Sequence, residues 1–270
     1  MEDFKYVDHW LNLDFDEKTH TYKVLGRKLK SVSSCLKHFH LPFNKDLAKF
    51  VAMSRTKNTG KKWTKGMVLK EWRKKAELAA ENGTRIHNFA ELYAWYSDKV
   101  PGIGENIMNY TDFQSDKTPQ PTCDQERGVI EFWNDLNDKY YVVALEQMMY
   151  LQEFGFAGTA DVILYNRETG KFVIVDYKTN ETLFKDYGNK LLAPFQDIED
   201  TKFTKYCLQF AHYQIIFESV GYEVEDRWLI WLQPDEDGKL YQKLIVPDYS
   251  KKLKEYYESK NDRSAHFYFT

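Results

Sequence analysis

Hydrophobic and polar positions keep two different rhythms along this chain, and the change falls near residue 140. Residues 67–97 read as helical, with a break expected at Asn82–Gly83, and residues 123–138 form a helix with Val129, Ile130 and Trp133 on one side. Then "YYVVALEQMMYLQ" (140–152), "GTADVILYN" (158–166) and "KFVIVDYK" (171–178) are dense in β-branched and aromatic residues and read as three successive strands. "ETG" turns the chain between the last two. A helix over 203–220, a hairpin from "RWLIWLQ" and "KLYQKLIVP", and a helix over 249–260 follow. Nearer the start, "HTYKVLGRKLKSVSSCL" predicts two short strands around Gly26–Arg27 and a helix beginning near Ser33. Residues 100–122 collect Pro, Gly, Asn and Asp and read as a loop or small insertion. Helices before a compact run of strands, and a helix after it, predict an α/β fold with a mixed sheet.

Composition narrows this picture. The 270 residues, 43% hydrophobic and 29% charged, suit a globular chain with a sizeable core. No apolar run approaches the roughly 18 residues of a membrane span. The opening "MEDFKYVDHW" lacks the basic-then-apolar layout of a signal peptide, so a cytoplasmic protein is expected. Cys35, Cys123 and Cys207 stand singly, which argues against a disulfide framework, a zinc knuckle or a four-cysteine iron–sulfur cluster.

The net charge of −3 hides one strongly basic stretch. Residues 55–75 hold nine Lys or Arg against a single acid, Glu71. Such a stretch is either a solvated helix face or a phosphate-facing surface with Trp63 and Trp72 interleaved.

The end of the strand 171–178 raises a sharper question, because "VDYK" sets an acid and a lysine at the close of an apolar run. Side chains two apart share a face, so Ile174, Asp176 and Lys178 point one way and Val173, Val175 and Tyr177 the other. Folding the hairpin about a turn near Glu168 places Asp161 opposite residue 175 or 176, and a slip of one residue would flip the face. Two carboxylates about 4 Å apart repel by about 4 kcal/mol at an effective dielectric near 20. A divalent cation offsets that better than one lysine does, and oxygen ligands favour Mg²⁺ or Mn²⁺. The plainer reading of Asp-x-Lys alone is a salt-bridged strand end.

"GTAD" followed on the next strand by "DYK" resembles the PD-(D/E)xK nuclease superfamily. The chain is similar to its RecB-type exonuclease branch in two further motifs, "GTRIH" (Gly83 to His87) before the sheet and "QFAHY" (Gln209 to Tyr213) after it. The resemblance covers about residues 80–220 and includes phage-like exonucleases. It implies a restriction-endonuclease-like core, a central mixed sheet flanked by helices, over 81–270, preceded by an N-terminal hairpin and basic helical region over 1–80, the two forming one compact unit. It implies that His87, Asp161 and Asp176 bind one or two Mg²⁺ or Mn²⁺ ions, helped by the backbone carbonyl of Tyr177. It also implies that Lys178 positions or activates the attacking water, and that Gln209 and Tyr213 hold the active site and the nucleic-acid backbone. The expected activity is a metal-dependent deoxyribonuclease, an exonuclease acting on linear DNA in recombination or end processing. A single-strand annealing or recombination protein is an expected partner, with no membrane and no iron–sulfur cluster. A structure- or sequence-specific endonuclease and a non-catalytic DNA-binding subunit are the alternatives.

Residues around these motifs complete the candidate set. Glu146, within a strand, is an outer-sphere or second-metal group. Glu91 shares a helix face with His87 and either orients His87 or Lys178 or is an exposed charge. Thr84 is a candidate cap for a helix restarting after Gly83. Lys61, Lys62, Lys65 and Arg73, with Thr84 and Arg85, are the candidate nucleic-acid contacts. The long connection 181–202 offers Lys185, Lys190 and Phe195 as further ones.

Overall fold

The structure is a computed structural model that describes residues 6–16, 19, 21–97, 100 and 118–265, with side chains described as far as 260. Most of the predicted loop over 100–122 lies outside these residues. The fold is α/β, a mixed eight-stranded sheet with helices on both faces.

Three short strands open it: β1 (Leu13–Asp16), β2 (Thr21–Val24) and β3 (Arg27–Ser31) form an antiparallel meander. Leu25 and Gly26 turn the chain between β2 and β3 with φ of 48° and 78°, the left-handed pair that matches strand twist in a two-residue hairpin. Ser31 ends β3 and accepts the Ser34 amide at 3.2 Å, capping the short helix α1 (Val32–Leu36).

Next come α2 (Leu47–Thr59) and α3 (Lys65–Tyr96), then α4 (Asp124–Asn134). The strands β4 (Tyr140–Leu151), β5 (Phe156–Asn166) and β6 (Lys171–Lys178) follow, close to their predicted bounds. After them stand α5 (Lys202–Glu218), β7 (Val224–Trp231), β8 (Gln242–Ile245) and α6 (Ser250–Ala265). The helices α1, α5 and α6 cover one sheet face, around Phe39, Phe172 and Phe217. The other face is covered by the second half of α3 and by α4, around Phe132, Trp133 and Tyr177.

The predicted break at Asn82–Gly83 is absent. α3 is one helix of 32 residues, about 48 Å at 1.5 Å per residue. It crosses residue 80 uninterrupted, and Thr84 lies within it rather than capping a new one; the N-cap is Thr64, whose hydroxyl accepts the Met67 amide at 3.2 Å. Both ends of α3 are anchored, which outweighs the cost of an interior glycine, about 1 kcal/mol. Its first turns pack Val68, Leu69 and Trp72 against Ala48 and Ala52 of α2, and its last turns bury Ile86, Phe89 and Ala90 on the sheet. Residues 73–81 between these anchors are exposed all round, a solvent-bridging segment.

Candidate metal centre

β5 builds the site because its edge changes partner. At its start β5 runs parallel to β3, with Lys30 beside Phe156 and Ser31 beside Ala157. From Val162 onward the same edge pairs antiparallel with β6, Val162 opposite Val175 through Asn166 opposite Lys171. Residues 158–161, the "GTAD" motif, fall in the fork between the two partners. Gly158 is required there, because a Cβ would stand 2.7 Å from Tyr213 Cε1 and 3.1 Å from Val32 Cγ2. The other edge of β6 pairs with β7 from Phe172 to Lys178, and past Val175 the Tyr177 amide donates to Asp161 Oδ2 at 2.7 Å.

The alternation of the strands slips at the same place. In β5, Ala160 and Ile163 lie in one core although three residues apart, and in β4 Ala144 and Met149 do the same five apart. Glu146 takes φ 44°, a left-handed conformation rare for a side chain of its size. The slip turns Glu146 and Asp161 toward α3, where His87 waits one turn before Glu91. His87, Glu91, Glu146, Asp161 and Tyr177 line one narrow recess. Ligand atoms of His87, Glu146 and Asp161 all lie within 4.8 Å of one another, and one imidazole with two carboxylates is a set able to hold a divalent metal ion.

Asp176 and Lys178 share a face, as alternation requires, and it is the α5 face. The Lys178 ammonium contacts Asp176 Oδ2 and lies 4.5 Å from the centre of the Tyr206 ring. Gln209 Nε2 donates to Asp176 Oδ1 at 3.3 Å and to the Tyr213 hydroxyl at 2.7 Å. Of the two registers the sequence allowed, the pairing of Val162 with Val175 matches the one that extends to Asp161 opposite Asp176, yet the three charged residues do not form a single group. Asp161 turns to His87, whose Nδ1 is 3.2 Å from its Oδ2, and Asp176 turns to Lys178.

Burial sets the electrostatics. It opposes charge on His87, but the Asp161 carboxylate outweighs it and raises the imidazole to about 9. Burial, then Asp161, raise Asp176 to about 6 and Glu146 well above the usual carboxylate range. Burial raises Asp161 as well, but His87 and Lys178 prevail and hold it below its ordinary value. Lys178 resists the same burial through Asp176 and Asp161 and stays raised, hence charged at neutral pH.

No protein-family model matches the chain, and no curated protein matches it. His87, Asp161, Asp176, Tyr177, Lys178, Gln209 and Tyr213 converge around the fork, as does Glu146. Glu91, for which sequence left two readings open, is buried in the recess beside His87. Tyr213 is buried at 4% exposure, so its hydroxyl supports Gln209 rather than meeting a ligand.

The expected nucleic-acid contacts divide. Lys61, Lys62, Arg73 and Thr84 are exposed. Lys65 binds Asp46 at 2.8 Å. The Arg85 guanidinium is engaged by α4, contacting the buried Glu126 and donating to Asn82 Oδ1 at 3.0 Å, so its charge is already paired and it joins two helices. Trp63 and Trp72 also depart from the phosphate-facing reading, since both pack in the α2–α3 seam, Trp63 beneath Arg55 at 4.6 Å and Trp72 against Phe43. In the long connection Phe195 is fully buried and Lys190 pairs with Glu199, while Lys185 remains exposed.

Among the described residues no helix is long and apolar enough to cross a membrane.

Proposed function

We propose that this chain is a metal-dependent deoxyribonuclease of the PD-(D/E)xK type, an exonuclease hydrolysing phosphodiester bonds of linear DNA. The observation that carries the reading is the meeting of His87, Glu146 and Asp161 within 4.8 Å, one strand away from the Asp176–Lys178 pair. Four sequence motifs supply these groups and their support, apart from Glu146.

His87, Glu146 and Asp161 would hold Mg²⁺ or Mn²⁺, with Asp176 the neighbouring carboxylate. A divalent ion bound there supplies Lewis-acid polarisation of a phosphodiester. The protein's own groups do the rest. Lys178, charged at neutral pH, offers a fixed cation to the negative charge that develops on the phosphate. Gln209, itself braced by Tyr213, holds Asp176 so that Lys178 stays on that side. Backbone donation from Tyr177 fixes the Asp161 carboxylate toward His87.

Degradation of end-labelled linear DNA in Mg²⁺, compared with a closed circle of the same sequence, tests the reading. Loss of the linear substrate alone is the expected result. Cutting of the circle would make the enzyme an endonuclease on the same core, and no hydrolysis of either would sink the enzymatic reading.

A further inference from the structure

A second cluster of cations lies at the first turns of α5, close enough for Lys205 to feel the charge of Lys178. The connection between β6 and α5 folds back over the first turn of α5 and encloses a cavity of about 270 Å³. This is near the low end of ligand-sized pockets, about 300 Å³. Lys185, Tyr187, Lys202 and Lys205 line it, with His40 and Asp200. The single acid, Asp200, has its Oδ1 bonded to His40 Nδ1 at 2.7 Å and makes no ion pair with these lysines. Nearby lysines are neutralised, Lys190 by Glu199 and Lys252 by Asp197, whereas no ion pair among the described residues takes Lys185, Lys202 or Lys205. Lys205 reaches solvent, yet its affinity for its proton is lowered, first by the protein that displaces water around it and then by Lys178 and Lys37, with Asp200 opposing and Lys202 adding to the effect. Concentrated unpaired cations in a concave site call for an anion.

The same cavity carries an aromatic surface. Tyr187 is 71% exposed, with the Lys185 ammonium 5.2 Å from its ring centre. An exposed ring next to a cationic pocket matches the two halves of a nucleotide in a single strand, base and phosphate. Position adds a direction: Lys205 precedes Tyr206 in α5, and the Tyr206 ring carries the Lys178 ammonium.

The geometry points to a seat for one backbone phosphate of a single nucleic-acid strand, held by Lys185, Lys202 and Lys205 with the adjoining base stacked on Tyr187. It rests on the nuclease reading for its biological setting, and it adds a substrate subsite next to Lys178.

The test is anisotropy of a short labelled single strand in chelator, which separates binding from hydrolysis. Lys202→Gln with Lys205→Gln is expected to weaken binding and to reduce the slope of log affinity against log salt by up to about 0.7, the contribution of the one single-strand phosphate that the seat neutralises. Tyr187→Ala weakens binding about tenfold with the slope unchanged. Lys251→Gln, an exposed lysine on α6, is the control. These side chains are exposed, so the variants keep the native melting temperature. A double variant whose slope and affinity match those of the control overturns the seat, as does a wild type that binds no strand. The two readings also part in Mn²⁺. Hydrolysis by wild type and double variant alike, with equal binding, removes the seat and leaves the nuclease. Binding through these lysines without any hydrolysis removes the nuclease and leaves the seat.

Discussion

Two regions of this molecule are rich in charge, and they handle it in opposite ways. The basic stretch at the end of α2 and the start of α3 lies in water. Its ion pairs are surface pairs, Arg55 with Glu71 at 33% and 36% exposure and Lys65 with Asp46 at 36% and 61%. Such pairs contribute about 0–1 kcal/mol, so composition alone says little about why the charges are there. At the fork of β5, by contrast, Asp176 and Asp161 are 2% and 9% exposed and Lys178 is 12% exposed. Removing each such charge from water costs on the order of several kcal/mol, and hydrophobic replacements of similar volume are often neutral or stabilising. Several ionisable groups kept in one buried place are the physical ground of the proposed catalytic reading. The site therefore stands on burial and geometry, and the basic stretch stands only as a surface on which phosphates would be welcome.

The largest expected effect comes from breaking the buried group. Asp161→Asn keeps the shape of the side chain but removes the charge shared by His87 and the Tyr177 amide, and calorimetric Mn²⁺ binding is expected to vanish. Undiminished binding in the variant would move the metal elsewhere.

Proton linkage gives the next effect. Metal ligands must lose their protons, and His87 holds one until about 9 in the metal-free protein. Mn²⁺ affinity is expected to rise with pH between about 6 and 9, up to roughly tenfold per pH unit for one displaced proton. Without metal the trend in stability reverses. Asp176 is raised to about 6, so its protonated form stabilises the native state below its ordinary value and that contribution fades as pH rises through about 6. His87 is raised to about 9 from 6.5, so its contribution is full below 6.5 and fades as pH rises through about 9. Thermal unfolding in chelator should shift to lower temperature from pH 5 to pH 9, and Mn²⁺ should restore it. A melting temperature that climbs with pH in chelator would contradict this assignment.

A smaller effect tests the fork itself. Gly158→Ala drives a Cβ into the Tyr213 ring and Val32, an overpacking cost of about 1–3 kcal/mol. Denaturant unfolding reads it directly, and a neutral substitution would mean that the ring can move aside. The smallest effect belongs to the basic stretch. Replacing Lys61, Lys62 and Arg73 with Gln should change stability by no more than about 0.5 kcal/mol. The same replacement should flatten the salt dependence of duplex binding by about 0.9 for each phosphate left without its cation. An unchanged slope would leave this face without a role in DNA binding.

Much of the fold was legible because strands repeat every two residues. The run "KFVIVDYK" ended where β6 ends, and "ETG" set the turn that limited the register. The motif residues lie near one another because the observed register is one of the two that the turn allowed. What escaped the sequence depends on backbone states that no residue pattern announces. Glu146 was a candidate from the sequence, but the positive φ that brings it to the group and the phase slip that turns Asp161 toward α3 could not be read from it. The expectation of one shared face for Asp161, Asp176 and Lys178 assumed unbroken alternation. Gly83 suggested a break because local propensity disfavours it, yet packing at both ends of α3 carried the helix through. Arg85 looked like a phosphate ligand beside His87, but the buried Glu126 on a distant helix claims it.

The most direct measurement is release of nucleotides from end-labelled linear DNA by wild type and by Lys178→Ala, each with Mg²⁺ and with chelator. The account predicts metal-dependent release by wild type and a rate about 10²–10³-fold lower in the variant, both assayed at a temperature where their melting curves show them folded. Equal rates in the two proteins, or equal inactivity on linear, nicked and single-stranded substrates, would contradict it.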